Sequence, residues 1–309
     1  MSMDAIEIRG LTKGFRTGFW MRKNVQALRG LDLSVRAGEI FGFLGPNGAG
    51  KSTTIKILTG LIRQDGGEVR IFGAPPGSDG AKRRIGFLPE NPVFYEHLSG
   101  QELLEHYAKL LGLDRAKRRA RVAELLGLVG MQKAARLQMR RYSKGMVQRI
   151  GIAQALLQDP DLVILDEPTS GLDPLGRHDV RELMLSLRSR GTTVFFSTHI
   201  VPDVEMVCDR VAFLASGKLM KVGTVPELLA REGSLIEINA ADVREELRRE
   251  LGRYATSIRD VSGLVSMLVD GDDKAREAME LLWRHGAVIR SMQPRRGGLE
   301  ALFAREVAN

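Results

Sequence analysis

The sequence has a single cysteine, Cys208, in 309 residues. No internal disulfide is therefore available, which suits a reducing compartment, and the residue reads as a small buried apolar side chain. No apolar run approaches the ~18 residues that span a bilayer. The first residues, Met1-Ser2-Met3-Asp4-Ala5-Ile6, lack a basic stretch followed by an apolar core, so no secretory signal is expected. What is present is ordinary for a globular chain: 43% hydrophobic and 27% charged residues. The length exceeds one typical domain and points to a large domain with a small one. Net charge is +8 with a pI near 9.8, but from Ser234 onward 12 Lys and Arg face 13 Asp and Glu. The positive excess thus sits in the first three-quarters. It fits nucleic acid, an anionic membrane face or plain solvated surface, and charge alone does not choose.

One stretch organises the rest. Gly45-Pro46-Asn47-Gly48-Ala49-Gly50-Lys51-Ser52 matches G-x-x-x-x-G-K-[ST] in full. An apolar strand-like run, residues 39–44, precedes it, and Thr53 begins a stretch that can continue as a helix. Glycines let the backbone wrap closely around phosphate oxygens, and the helix start turns free N–H groups and positive potential toward them. Lys51 would reach the β- and γ-phosphates, and the Ser52 hydroxyl would ligate Mg²⁺.

Around it, Ile6-Glu7-Ile8, residues 31–35 and residues 68–73 alternate as half-buried strands do. Residues 14–23 read as a loop rich in aromatic and basic residues. An aromatic ring upstream of a P-loop can stack on adenine, and Phe15 is the first candidate, ahead of Phe19 and Trp20. Residues 91–160 read as a helical insert. Ser99 and Glu102 form a capping-box pattern, residues 115–128 carry a basic block, and residues 143–157 make a third helix. Leu162-Val163-Ile164-Leu165 and Thr193-Val194-Phe195-Phe196-Ser197 lack alternation, as strands buried on both faces should. Asp173 and Pro174 read as the cap and first residue of a helix. Alternating strands and helices mean an α/β sheet with parallel members, whose ligands bind at the carboxyl ends of strands. The P-loop, Asp166-Glu167 and His199 each follow a strand directly, so the pattern brings them to one sheet edge. Residues 1–230 form this large domain. Residues 234–309 read as a separate α+β unit of order βαββαβ, the ferredoxin-like pattern, closed by a short helix over 299–305.

Hydrolysis of a nucleoside triphosphate needs a phosphate cradle, Mg²⁺, a group that positions water and a sensor of the γ-phosphate. Lys51 and Ser52 serve the cradle and the metal. Asp166 would help hold Mg²⁺, Glu167 is the candidate base for water, and His199 can hydrogen-bond the γ-phosphate.

With these residues in view, the chain resembles the nucleotide-binding subunit of ABC transporters. The resemblance spans residues 6–229. It rests on the P-loop, Leu165-Asp166-Glu167-Pro168-Thr169, Ser170-Gly171-Leu172-Asp173, Thr198-His199, and Tyr142-Ser143-Lys144-Gly145-Met146 in the place of the family signature LSGGQ. Tyr142, Lys144 and Met146 depart from that signature, while Ser143 and Gly145 keep it. Glu90 stands where the family has a glutamine near the metal, and as a carboxylate it accepts but does not donate. These departures, with a domain after the ATPase core, resemble the ATPases of ABC-2-type exporters. The resemblance implies a P-loop core with an antiparallel β subdomain, and ATP and Mg²⁺ as ligands. It also implies a head-to-tail dimer, of two copies or with a paralogous ATPase, in which Ser143 and Gly145 of one chain meet the ATP of the other. A membrane permease would dock on its cytoplasmic side near Pro92, Val93, Phe94 and Tyr95, and no nucleic-acid partner is expected. The competing reading is a soluble ABC ATPase acting on nucleic acid or ribosomes. Against it stand one P-loop rather than two and the lack of a long heptad insert. A P-loop kinase or GTPase has no use for the signature region or His199.

Overall fold

A computed structural model describes residues 4–17, 23–230, 235–261, 263–295, 299 and 302. By its contacts the chain divides into two compact units, Met1–Thr224 and Val225–Asn309. In the first, strands β1 (Asp4–Thr17) and β2 (Lys23–Arg36) lead to β3 (Ile40–Leu44) and helix α1 (Lys51–Leu58). Then come β4 (Gly66–Ile71), a short α2 (Asp79–Lys82) and β5 (Ile85–Leu88). Three helices follow, α3 (Gly100–Leu110), α4 (Arg115–Leu128) and α5 (Lys144–Ala155), before β6 (Leu162–Asp166) and α6 (Pro174–Ser189). The unit finishes with β7 (Thr193–Thr198), α7 (Val201–Val207), β8 (Arg210–Ala215) and β9 (Lys218–Thr224).

The central sheet has the order β5-β6-β7-β3-β8-β9. Its first five strands are parallel, and β9 closes the edge antiparallel to β8. All residues of β3, β6 and β7 are buried, as their non-alternating, mainly apolar runs require. Phe41 stacks on Phe195 at 5.9 Å between centroids, and Phe43 meets the same ring at 5.3 Å. Each such ring contributes ~1.5–3 kcal/mol by leaving water. A separate antiparallel sheet, β2-β1-β4, packs into the same core.

The helices start where their sequences cap them. Ser99 and Glu102 exchange both bonds of the capping box at α3, Asp114 accepts from Lys117 N at α4, and Asp173 accepts from Gly176 N ahead of Pro174 at α6. Two readings need correction. Residues 14–17 and Lys23 are not loop: β1 and β2 stay paired out to Thr17 and Lys23, because each backbone finds its partner across the ladder despite glycines and register shifts. And α7 and β9, which the sequence did not announce, complete the unit. Residues 18–22, with Phe19 and Trp20, lie outside the described residues, as does the helix expected over 299–305 except for Leu299 and Leu302.

The second unit begins with α8 (Val225–Ala230). It continues as β10 (Leu235–Ala241), α9 (Glu245–Leu251), β11 (Ala255–Val261), β12 (Leu264–Asp270), α10 (Asp272–Arg284) and β13 (Val288–Arg295). Its sheet runs β11-β12-β10-β13, antiparallel throughout. Ile236, Ile238, Met267 and Val269 on its strands form one core with Leu247, Leu251, Ala278 and Leu282 of α9 and α10.

Candidate functional site

Four neighbouring parallel strands, β5, β6, β7 and β3, end at the same edge. They deliver in turn Glu90, Asp166 with Glu167, His199, and the P-loop. Sequence separations of up to about 150 residues collapse here to hydrogen-bond distances.

The P-loop wraps as tightly as its glycines allow. A Cβ on Gly45 would lie 2.5 Å from the Leu214 carbonyl oxygen. Gly50, with φ 105°, would bring one within 2.7 Å of the Ala27 carbonyl oxygen. Either substitution must push backbone apart. Behind the loop, α1 begins at Lys51 with no side-chain cap, which leaves its first N–H groups and positive end for an anion.

Lys51 is buried, and its ammonium donates to the carbonyls of Gly45 at 2.6 Å and Pro46 at 3.3 Å. It also lies 3.1 Å from Glu167 Oε1, with both side chains under a tenth exposed. The other oxygen of Glu167 is 2.9 Å from His199 Nδ1. Glu167 has φ 50°, a left-handed conformation that costs a non-glycine residue ~1–3 kcal/mol. Ser52 Oγ sits 3.4 Å from Asp166 Oδ1.

Ser197 was not singled out by sequence reasoning, yet it pins both acidic residues. Its hydroxyl donates to Asp166 Oδ1 at 2.6 Å and accepts from the Glu167 N–H at 3.0 Å. The available signal was a hydroxyl in a fully buried strand, where an unpaired polar group is costly.

A cavity of about 290 Å³ opens on this edge. Its wall includes Pro46, Asn47, Gly48, Gly50, Lys51, Ser52, Thr53, Glu90, Glu167 and His199, and also Ala27 and Ser170. Gly45, Ala49 and Asp166 do not line it, though Asp166 is within reach of the lining Ser52 hydroxyl. Ser143 and Gly145 do not line the cavity: Ser143 is exposed and caps α5 through Met146 N. Phe15 does not line it either; it is exposed on β1, with Lys13 Nζ 5.6 Å from its ring. A second cavity, of about 360 Å³, is lined by Arg121, Glu124, Asp159 and Arg190 among others, whose charges pair with one another. None of the candidate phosphate-binding residues lines it.

The donor set fits a hard cation only in company. Ser52 and Asp166 offer oxygens, the atoms Mg²⁺ takes. Among the described residues no group of three His, Cys, Asp or Glu side chains could hold a metal unaided. Such an ion would need phosphate oxygens for the rest of its shell.

Residues 28–170 match the family described as ABC transporter. An uncharacterised ABC transporter ATP-binding protein of Synechocystis sp. is 42% identical over 98% of this chain and 85% of its own length. A fluoroquinolones export ATP-binding protein of Mycobacterium tuberculosis is 38% identical over 84% of this chain and 82% of its own. Among solved structures, the ATP-binding cassette MJ0796, a dimer in a post-hydrolysis state bound to ADP and Pi, superposes with a TM-score of 0.64. It is 26% identical and covers 71% of this chain and 98% of its own.

Proposed function

Because the chain belongs to the ABC transporter ATP-binding family, we propose that it is the ATPase subunit of an exporter, energising a separate membrane permease. The single observation that carries the catalytic reading is the convergence of Lys51, Ser52, Glu167 and His199 on one cavity wall, with Asp166 at 3.4 Å from the Ser52 hydroxyl. The transporter relatives favour this over a soluble ATPase acting on nucleic acid or ribosomes.

In this reading Lys51 and the start of α1 bind the phosphates of ATP. Ser52 and Asp166 would hold Mg²⁺, with Glu90 as a further oxygen donor beside it. The ion would supply neutralisation of the phosphate charge. Glu167 takes a proton from the attacking water. His199, hydrogen-bonded to Glu167, orients that carboxylate and meets the γ-phosphate. Lys51 exchanges its contact with Glu167 for phosphate oxygens, which leaves the carboxylate free to act as base. Phe15 is the stacking candidate for adenine.

Ser143 and Gly145 complete the site from a second subunit. Their place outside the cavity, at the exposed start of α5, supports a head-to-tail pair, and so does the dimeric cassette among the structural relatives. The permease meets the segment after Glu90. Val93 and Tyr95 are exposed there, at 91% and 53%, whereas Phe94 is engaged edge-on with Tyr107. No helix of the described residues is long and apolar enough to cross a membrane. A permease partner would hold the subunit at the cytoplasmic face of the membrane. Export follows the mycobacterial relative, and the cargo path belongs to the permease. Residues 1–230 are proposed as the motor, although contacts group α8, residues 225–230, with the second unit. Residues 234–309 are a ferredoxin-like accessory domain, for which the strand order β11-β12-β10-β13 is the support.

Calorimetry with MgATP tests the cradle: Lys51→Ala should abolish tight binding, and unchanged affinity contradicts the assignment. A pull-down from detergent-solubilised membranes tests the partner. Recovery of a permease supports the reading; nucleic acid with no membrane protein opposes it.

A further inference from the structure

Glu167 and His199 share a hydrogen bond, but neither is held in place by the sheet alone. Glu167 follows the last residue of β6 in a left-handed turn, and the His199 side chain is 46% exposed. A buried carboxylate behind them has no role in the chemistry so far. Asp203 is 1% exposed. Its Oδ2 accepts from the Thr169 hydroxyl at 2.7 Å, and its Oδ1 accepts from Arg181 Nη1 at 3.0 Å. Thr169 is fully buried and follows Glu167 by two residues. Asp203 is the third residue of α7 and follows His199 by four. Arg181 lies in α6, the helix that Asp173 caps. One carboxylate therefore ties together the turn after the base, the helix after the histidine and the helix after Ser170-Gly171-Leu172-Asp173.

Stability alone does not explain this arrangement. Taking a carboxylate and a guanidinium out of water is costly, and well-packed apolar residues often do as well or better at such positions. What a charged, directional hub supplies is a fixed distance between segments. We infer that Asp203 is a positioning residue for hydrolysis, acting through Thr169 to hold Glu167 in register with His199. The inference rests on the ATPase reading above. Asp203 does not touch the nucleotide cavity, so its effect belongs to kcat and not to ATP binding.

The test is Thr169→Val in the full-length chain, which removes the hydroxyl at nearly constant volume and leaves the Asp203–Arg181 pair in place. Phosphate release at saturating MgATP should fall ~10-fold or more, the scale of a misplaced reacting group. The KM and calorimetric Kd for ATP should stay within about twofold, because Lys51 and Ser52 are untouched. Thr169→Ser should bring kcat back to within about threefold of wild type. Wild-type turnover in Thr169→Val overturns the inference. So does a loss of kcat matched by an equal loss of affinity, or one that Thr169→Ser fails to repair, since each is what a packing defect produces. Where Thr169→Val does not fold, Asp203→Asn keeps the shape and one acceptor, and carries the same kcat-against-KM comparison. A wild-type chain that neither binds nor hydrolyses ATP overturns the ATPase reading along with this one. A hydrolysing wild type beside an unaffected Thr169→Val removes this inference alone.

Discussion

Replacing Glu167 by glutamine separates two proposed jobs of one carboxylate, base for water and partner of Lys51. Its Oε1 is 3.1 Å from the Lys51 ammonium and its Oε2 is 2.9 Å from His199 Nδ1. Glutamine keeps the size and can keep the histidine contact, but it neither takes a proton from water nor pairs with Lys51. Loss of a general base lowers turnover ~10²–10⁴-fold. The affinity should move the other way. At an effective dielectric of ~20, unit charges at the observed 3.1 Å attract by about 5 kcal/mol, a gross Coulomb figure. Desolvation of both partners offsets most of it, so a net coupling of ~1–2 kcal/mol is expected. Arriving phosphates must displace that pairing in the wild type and need not in Glu167→Gln. ATP should therefore bind ~5–30-fold more tightly to the variant. Calorimetry reads the affinity, phosphate release reads the turnover, and gel filtration should show an ATP-bound dimer that persists. Turnover near wild type would remove Glu167 from its role. Affinity unchanged or weaker would refute the claim that ATP displaces the Lys51–Glu167 pair.

Three further outcomes follow from particular contacts. Ser197→Ala removes a donor to the buried Asp166 and one of two acceptors of the Glu167 N–H, whose bond to the Ser197 carbonyl at 3.2 Å remains, so denaturant unfolding should show a loss of ~1–2 kcal/mol; a change below ~0.5 kcal/mol would place the site's rigidity elsewhere. Cys208 is half-buried as a residue, not fully buried as its sequence suggested, but its sulfur turns inward toward Gly42 of β3; desolvation there, reinforced by the nearby carboxylates of Asp209, Asp203 and Glu39, pushes the thiol well above the usual range. Iodoacetamide at pH ~8 should thus alkylate the native protein at least ~10²-fold more slowly than the unfolded chain, and equal rates would show the sulfur to be accessible. Deleting residues 234–309 should leave the motor with a cooperative melt, since the strands and helices of that segment form a core of their own; a broad, non-cooperative transition would show that the boundary is misplaced.

The candidate site was legible because its motif has fixed spacings and its strands have non-alternating, mainly apolar runs. Gly45 to Ser52 permits little variation, and the runs at 162–165 and 193–197 end where the acidic pair and the histidine begin. Parallel pairing of β6, β7 and β3 then did the rest. Other features left weaker traces. β1 and β2 hold 14 residues each, but Gly10, Gly14 and several register shifts break their alternation, and residues 14–17 looked like loop. β9 is an edge strand with an exposed face, whose Lys218, Met220 and Val222 carry no distinct pattern. Ser197 read as one more strand residue, and Asp203 drew no reading at all. Their partners, Asp166 and Thr169, are 31 and 34 residues away, a distance no local pattern spans.

The central proposal is a site that assembles its metal only with a triphosphate. Electron paramagnetic resonance with Mn²⁺ in place of Mg²⁺ tests this directly on the full-length chain. Tight Mn²⁺ binding should appear with ATP, vanish without nucleotide, and be lost in Ser52→Ala and Asp166→Asn. Mn²⁺ held equally well without ATP, or unaffected by both substitutions, would contradict it.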